Sequence, residues 1–145
     1  SSGSTLPADQ DGRSPEGDPA FPELFMSIGT NALQAWTFTP NYSLPQSSVV
    51  TQLPNLAVPS FNRACGGGAC VPQLGTKQQL DTLGDRLMYR LAYRKVGTTN
   101  YLVATHSVNP GTTGLGVAGI RWYQLTATGR NAFVGDRQPG NVRPG

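Results

Sequence analysis

Three apolar segments decide the fold: DRLMYRLAYRK (residues 85–95), YLVATHSVN (101–109) and AGIRWYQLT (118–126). The turn GTTN and a glycine-rich link separate them, as is typical of antiparallel strands. Strand alternation in the first segment gives two faces, one with Leu87, Tyr89, Leu91 and Tyr93 and the other with Arg86, Met88, Arg90 and Arg94. The pattern predicts an antiparallel meander, in which successive strands are neighbours in the sheet.

A helix over residues 80–96 is the alternative interpretation of the first segment. Its leucines also fall at helical spacing: Leu80, Leu83, Leu87 and Leu91. Against a helix, Gly84 interrupts the run, Tyr89 and Tyr93 favour a strand, and a hairpin partner follows at once. The strand is preferred, and the helix stays open at this point.

Composition also favours an all-β fold. The chain has 145 residues, of which 37% are apolar and 13% charged, with 18 glycines and 12 prolines. Few charges and many turn formers are typical of short strands joined by loops. The net charge of +3 predicts no nucleic-acid partner, and no apolar run is long enough to span a membrane.

The chain divides into a central strand region and two polar ends. An extended arm is expected over residues 1–20, a β-meander region over 21–135 and a polar tail over 136–145. Within the central region we predict a first meander at 21–53, a cysteine-containing connector near 54–79 and a second meander at 85–134. The expected core anchors of the first meander are Phe25, Leu33, Trp36 and Phe38. Because the chain starts without Met or a signal peptide, it is expected to be a processed or partial product.

The connector carries both cysteines, Cys65 and Cys70, in ACGGGAC. Three glycines between them let the backbone bring the sulfurs together, so a local disulfide is expected if the chain is exported. Zinc binding would need more ligands, and a thiol–disulfide catalyst would normally show CxxC. The disulfide is therefore the preferred interpretation.

No cofactor or catalytic motif stands out. Asp9, Asp11 and Asp18 leave calcium as a weak alternative to an acidic surface turn, because the EF-hand spacing is not met. His106, the only histidine, is expected to have a structural role in its strand, and no nucleophile motif accompanies it. Whether the chain is an enzyme stays uncertain, with a noncatalytic function favoured.

Two sets of residues are candidate ligand surfaces. The arginine stripe of Arg86, Arg90 and Arg94 is either a solvated or carboxylate-paired strand face or a site for an acidic glycan or polymer. The second set, Arg121, Trp122 and Tyr123, is either core or a surface on which a sugar would stack.

A family resemblance extends over residues 8–125. Its motifs are ADQDG, GTNALQAWTF, VPSFNRACGGGACVPQLGT, QLDTLGDRLMYRLAYR, ATHSV and GIRWYQL. In this order they resemble a segment of large exported bacterial proteins of uncharacterised function with β-propeller-like repeats. The resemblance implies about two propeller-blade-like units and an extracellular or cell-surface location, but no catalytic residues. After Leu125 the chain departs from the family pattern.

These observations favour a noncatalytic structural or interaction module of an exported bacterial protein or assembly. Its partners would be other proteins or further copies of itself, because two blades alone would leave apolar faces and strand edges exposed. A carbohydrate-binding or carbohydrate-active propeller segment is the alternative, which makes a glycan a second candidate partner.

Overall fold

The prediction of an all-β fold is confirmed. A computed structural model describes residues 4–10, 23–111, 117–128, 132–135 and 141–142. The strands are β1 (Leu6–Gln10), β2 (Glu23–Gly29), β3 (Ala32–Thr39), β4 (Val49–Gln52), β5 (Leu56–Ala57), β6 (Ala69–Val71), β7 (Leu80–Asp81), β8 (Met88–Val96), β9 (Thr99–Val108), β10 (Gly119–Thr128), β11 (Ala132–Gly135) and β12 (Asn141–Val142). Two 3-10 turns, Pro45–Ser47 and Ala64–Gly67, are the only helical turns in these ranges. The segment with two interpretations is thus a strand, β8.

Both predicted meanders are present. Strands β2, β3 and β4 form the first, and β8, β9, β10 and β11 form the second, with antiparallel neighbours throughout. Short β5 and β12 pair with β3 and β10, and β6 pairs with β7 apart from the main sheet. The sheet is not closed within the described ranges, and no propeller blade is identified there.

Strand β1 connects the two meanders, although it lies in the segment predicted as an extended arm. Its first residues, Leu6 and Pro7, pair antiparallel with β2, and its last three residues pair parallel with β8. One short strand thus belongs to both halves of the sheet. Each half gains its neighbour only when this strand is in place.

The core is shared between the meanders. Residues of β2 and β3 meet residues of β8, β9 and β10 in one cluster, which also includes a leucine just after β4 and one just before β8: Leu24, Met26, Ile28, Leu33, Ala35, Leu53, Leu87, Leu91, Tyr93, Leu102, Ala104, Tyr123 and Leu125. Burying one such leucine contributes roughly 2 kcal/mol. Since the cluster takes residues from both halves, neither meander has a complete core of its own.

A β-bulge changes the predicted faces of β8. The pairing with β9 shifts register between Met88 and Ala92, and Arg90 has a φ of 61°. A bulge adds residues to one strand and resets which side its neighbours face. Tyr89 is consequently 86% exposed and does not share the inward face of Leu87, Leu91 and Tyr93 as predicted.

Three of the four expected core anchors lie outside the core. Leu33 is buried, but Phe25, Trp36 and Phe38 are only half-buried. They lie at the alternate positions of β2 and β3, opposite in facing to the buried Leu24, Met26 and Ala35. The expectation was wrong because these strands carry apolar side chains on both faces, and hydrophobicity alone does not choose the face.

Candidate functional site

The outer face of the first meander carries three aromatic rings. Cross-strand pairing places Phe25 directly opposite Trp36 and Phe38 directly opposite Val50, so all four side chains point away from the shared core. We call these four residues the aromatic face. Directly opposed residues in antiparallel strands have Cβ atoms about 5 Å apart, which keeps the rings in one continuous surface.

A groove of about 410 Å³ runs over the aromatic face. Thr5, next to β1, completes its lining, and the other lining residues are the four of the aromatic face. The groove is open to solvent on one side and its walls are apolar. Water against such walls gains little hydrogen bonding, so an apolar or flat partner would displace it favourably.

Two polar side chains lie beside the groove, each paired across the sheet with one of its aromatic residues. Glu23 is paired opposite Phe38, and Gln52 is paired opposite Trp36. Burial raises the pKa of the Glu23 carboxyl above its ordinary value. A ligand on the rings would therefore have one carboxyl and one amide close by for hydrogen bonds.

An absence of charge in the sequence coincides with this face. Residues 24–62 contain no Asp, Glu, Lys or Arg, and the run covers β2 after its first residue, Glu23, as well as β3, β4 and β5. Surfaces that face water normally carry charges of both signs. Sequence interpretation missed the aromatic face, and this uncharged run, taken with strand alternation, is the signal that indicates it.

Strand β4 forms an edge beside the aromatic face. It pairs with β3 on one side, and no strand of the described residues pairs with its other side. All four of its residues are exposed, including the apolar Val49 and Val50 at 54% and 66%. The loop between β3 and β4 exposes Tyr42 and Leu44 as well. The aromatic face thus continues to an open strand edge.

Arg121, Trp122 and Tyr123, predicted as one ligand surface, point to two different sides of β10. Trp122 is half-buried on the outer side opposite Thr105, whereas Arg121 and Tyr123 are buried on the inner side. Arg121 donates to the carbonyl oxygens of Pro59 and Ser60 at 2.9 and 3.2 Å. Adjacent residues of a strand face opposite ways, so the three side chains are not brought together.

His106 is enclosed by the residues that hold Arg121. Its Nε2 lies 2.9 Å from the Tyr123 hydroxyl oxygen, and the Phe61 ring packs edge-on against it with centroids 4.6 Å apart. Burial, followed by the positive charge of Arg121, lowers the pKa of His106 to about 4. The ring is therefore neutral at neutral pH, and at 1% exposure it is inaccessible to a substrate.

The arginines of the predicted stripe have three different environments. Arg86 precedes β8 and forms an ion pair of 2.8 Å with Asp85, which lowers the pKa of that carboxyl. Arg90 lies in the bulge, with its Nε 3.4 Å from a carboxylate oxygen of Asp9. Arg94 is exposed. The bulge separates the positions that simple alternation would align.

The disulfide between Cys65 and Cys70 is present, with Cα atoms 5.6 Å apart. Positive φ angles at Cys65, Gly66 and Gly67 turn the chain tightly enough to close it. The loop rests on the buried hydroxyl of Thr82, which lies 2.9 Å from the Ala64 carbonyl oxygen. It therefore fixes the cysteine loop to the segment between β7 and β8.

Of the three candidate calcium ligands, the structure describes Asp9 alone. Asp9 lies in β1 beside Arg90, and Asp11 and Asp18 lie outside the described residues. Among the described positions no group of three or more His, Cys, Asp or Glu side chains could hold a metal ion. Nor does any described helix have the length and apolarity to cross a membrane.

Comparison of the chain with models of protein families, with curated proteins and with solved structures finds no match. The candidate site is accordingly defined by geometry: an apolar aromatic groove, with the Glu23 carboxyl beside it, on a sheet face that ends at an open strand edge.

Proposed function

We propose that this chain is a noncatalytic interaction module of an exported bacterial protein or assembly, and that it binds a protein partner through the aromatic face. The observation that carries the proposal is the apolar groove of Phe25, Trp36, Phe38 and Val50, whose four side chains lie in a sequence run, residues 24–62, without any charged residue. Aromatic residues dominate the centres of protein interfaces, where charged residues are depleted. The aromatic face has both properties.

The noncatalytic part of the proposal is supported by the position of the titratable groups. His106, the one side chain with an ordinary pKa near neutrality, is enclosed and neutral. The groove itself is lined by apolar residues and one threonine, with Glu23 as the neighbouring carboxyl. Such a surface binds through burial and has no paired acid and base to move protons.

The exported location is supported by the disulfide, because a Cys65–Cys70 bond persists in oxidising compartments and is rare in the cytosol. The bacterial origin and the propeller-like repeats rest on the sequence resemblance, and the two antiparallel meanders are consistent with it. The intact mass of the native polypeptide tests this part: a mass well above 15.4 kDa would make the chain a segment of a longer protein.

The native complex provides the test of the binding surface. We expect the chain, isolated from its producing cells under mild conditions, to be part of a complex, and we expect Phe38→Lys to release it. Met88→Lys is a matched control, because Met88 is also half-buried and apolar but lies in the second meander. Release by the control alone, or an unchanged complex with Phe38→Lys, would contradict the proposal.

Carbohydrate binding is the second candidate function, favoured by the polar groups beside the rings. A sugar stacked on Trp36 would have Gln52 opposite that ring and Glu23 one row away for hydrogen bonds. The apolar lining of the groove suits a protein better, because most sugar hydroxyls would find no partner there.

A glycan array distinguishes the two functions. Carbohydrate binding predicts a defined glycan signal that Trp36→Ala abolishes and that Trp122→Ala, on the other meander, leaves intact. Trp122 is the appropriate control because it is also half-buried on an outer face. An array without any specific signal would leave protein binding as the function.

A further inference from the structure

We infer that the partner bound at this surface is a second copy of the chain, joined by antiparallel pairing of the two β4 strands across a two-fold axis. The inference rests on the proposed function and names its partner. It depends on the backbone of β4, on its side chains and on the charge distribution around it.

The backbone of β4 presents hydrogen-bonding groups to the open edge. The Leu53 amide, just after β4, donates to the Ala35 carbonyl oxygen at 2.9 Å, so it points toward β3. Amide directions alternate along a strand, and the register continues unbroken through Gln52 and Val50. The N–H groups of Val50 and Gln52 therefore point away from β3, where a further strand would accept them.

The side chains leave this edge unprotected. Natural proteins normally block exposed strand edges with lysine, an inward charge, proline or a bulge. None of the four β4 residues is charged or proline, and their pairing with β3 has no register shift. An uncharged regular edge with two exposed valines would be a hazard in an isolated chain but is suited to pairing.

The charge distribution favours a second copy as the occupant. A two-fold contact places the same surface on both sides of the interface, so a charge close to the axis meets its own like-charged counterpart. The uncharged run of residues 24–62 includes β4, its neighbour β3 and the exposed Tyr42 and Leu44. No like charges from this run would therefore oppose each other in the dimer.

Area considerations indicate what else the interface contains. A stable interface buries roughly 1,200–2,000 Å² in total, more than two four-residue strands supply. Val50 belongs both to the edge strand and to the groove lining, so edge pairing would bring the two aromatic grooves side by side. The exposed Tyr42 and Leu44, in the loop between β3 and β4, would add apolar area.

The test is the solution mass of the full chain by sedimentation velocity over a range of concentrations. We expect twice the 15.4 kDa mass for the wild type. Gln52→Pro removes an N–H group that points to the open edge and leaves the N–H groups that donate to β3 in place. It should weaken dimerisation at least tenfold. Gln52→Ala is the matched control, because it shortens the same side chain but keeps that N–H, and it should remain dimeric.

A second pair of variants protects the test if the proline variant unfolds. Val50→Lys places like charges near the two-fold axis and should also give a single chain, more completely at low salt. Val103→Lys, at an exposed valine on the second meander, should remain dimeric. Far-ultraviolet circular dichroism establishes that each variant is folded.

A single-chain mass for the wild type at every concentration would overturn the inference, as would dimers that persist with both Gln52→Pro and Val50→Lys. If the native complex then contains a different protein that Phe38→Lys releases, the proposed function stands and only the choice of partner fails. If Phe38→Lys leaves the native complex intact, the proposed function fails independently of the dimer measurement.

Discussion

Both meanders consist of antiparallel neighbouring strands, but the outer surfaces of the two differ in charge. The first meander and the segment after it, over residues 24–62, carry no charged side chain, whereas β8 alone contains Arg90, Arg94 and Lys95. Both contribute equally apolar inner faces to one core. Folding therefore explains the inner faces of both, and the difference between the outer faces must be explained by what each one contacts.

Charges in the second meander have identifiable uses. Arg86 pairs with Asp85, Arg90 lies beside Asp9 of β1, and Arg121 extends inward to carbonyl oxygens of the connector. The first meander instead has aromatic rings on its outer face. One half of the molecule has an outer surface suited to water, and the other has a surface suited to a partner.

The largest expected effect comes from the core that the meanders share. Leu91→Ala removes a fully buried side chain of β8 and should lower the free energy of unfolding by about 3–4 kcal/mol. Because the core is common, Trp36 and Trp122 should report one unfolding transition in urea. Val103→Ala on the outer side of β9 is the control and should cost less than about 0.5 kcal/mol. Two separate transitions would show that the meanders fold independently.

Acid should destabilise the second meander through His106. Its pKa of about 4 lies below the ordinary 6.5, so the folded chain favours the neutral ring. Above pH 6.5 the ring is neutral in both states and this stability is fully present. As the pH falls from about 6.5 to 4, the unfolded chain gains a proton that the folded chain lacks, and roughly 3 kcal/mol is lost.

Urea unfolding at pH 7 and pH 4 measures this loss. The same comparison for His106→Gln is the control, because glutamine does not titrate while the carboxylates contribute equally to both proteins. We expect a clearly smaller pH dependence in the variant. An equal pH dependence would mean that the His106 ring carries its charge in the folded state.

The attachment of the cysteine connector should be sensitive to one methyl group. A Cβ atom at Gly84 would lie 3.0 Å from the Ala64 carbonyl oxygen and 3.2 Å from its amide nitrogen. Since both are backbone atoms, Gly84→Ala must displace the loop and should cost about 2 kcal/mol. Gln79→Ala, at an exposed position before β7, is the control and should have little effect. Equal stability of both variants would show that the loop moves freely.

Local patterns in the sequence predict much of this fold. The apolar segments, the GTTN turn and the NAFV segment correctly indicate β8 to β11, and the cysteine spacing correctly indicates the disulfide. Strand β1 escaped prediction as a strand because its pairing with β8 is parallel and spans most of the chain, and no local pattern encodes such a contact.

The candidate site was less predictable, for two physical reasons. The bulge at Arg90 resets the alternation, and its backbone angle has no sequence signature in an Arg residue. In the first meander, both faces of β3 carry apolar residues, so the sequence does not indicate which face is buried and wrongly favours Trp36 as a core residue. The two faces of β3 are both apolar in sequence. The inner face is recognised as core only because the second meander packs against it, which no local pattern predicts.

The smallest expected effect tests the charge difference itself, at the strand that joins the meanders. Asp9→Asn removes the carboxylate that lies 3.4 Å from Arg90, and because Asp9 is largely exposed it should cost less than about 1 kcal/mol. The cost should shrink in 1 M NaCl, where the Debye length is about 3 Å. Gln52→Ala, in the uncharged run, is the control, and its effect on the free energy of unfolding should not depend on salt. Both variants are measured at protein concentrations low enough for the chain to be monomeric. An Asp9→Asn effect that persists undiminished in 1 M NaCl would mean that the Asp9–Arg90 contact acts through packing and not through charge. The two meanders would then differ in where their charged residues lie, but those charges would not contribute to the stability of the second meander.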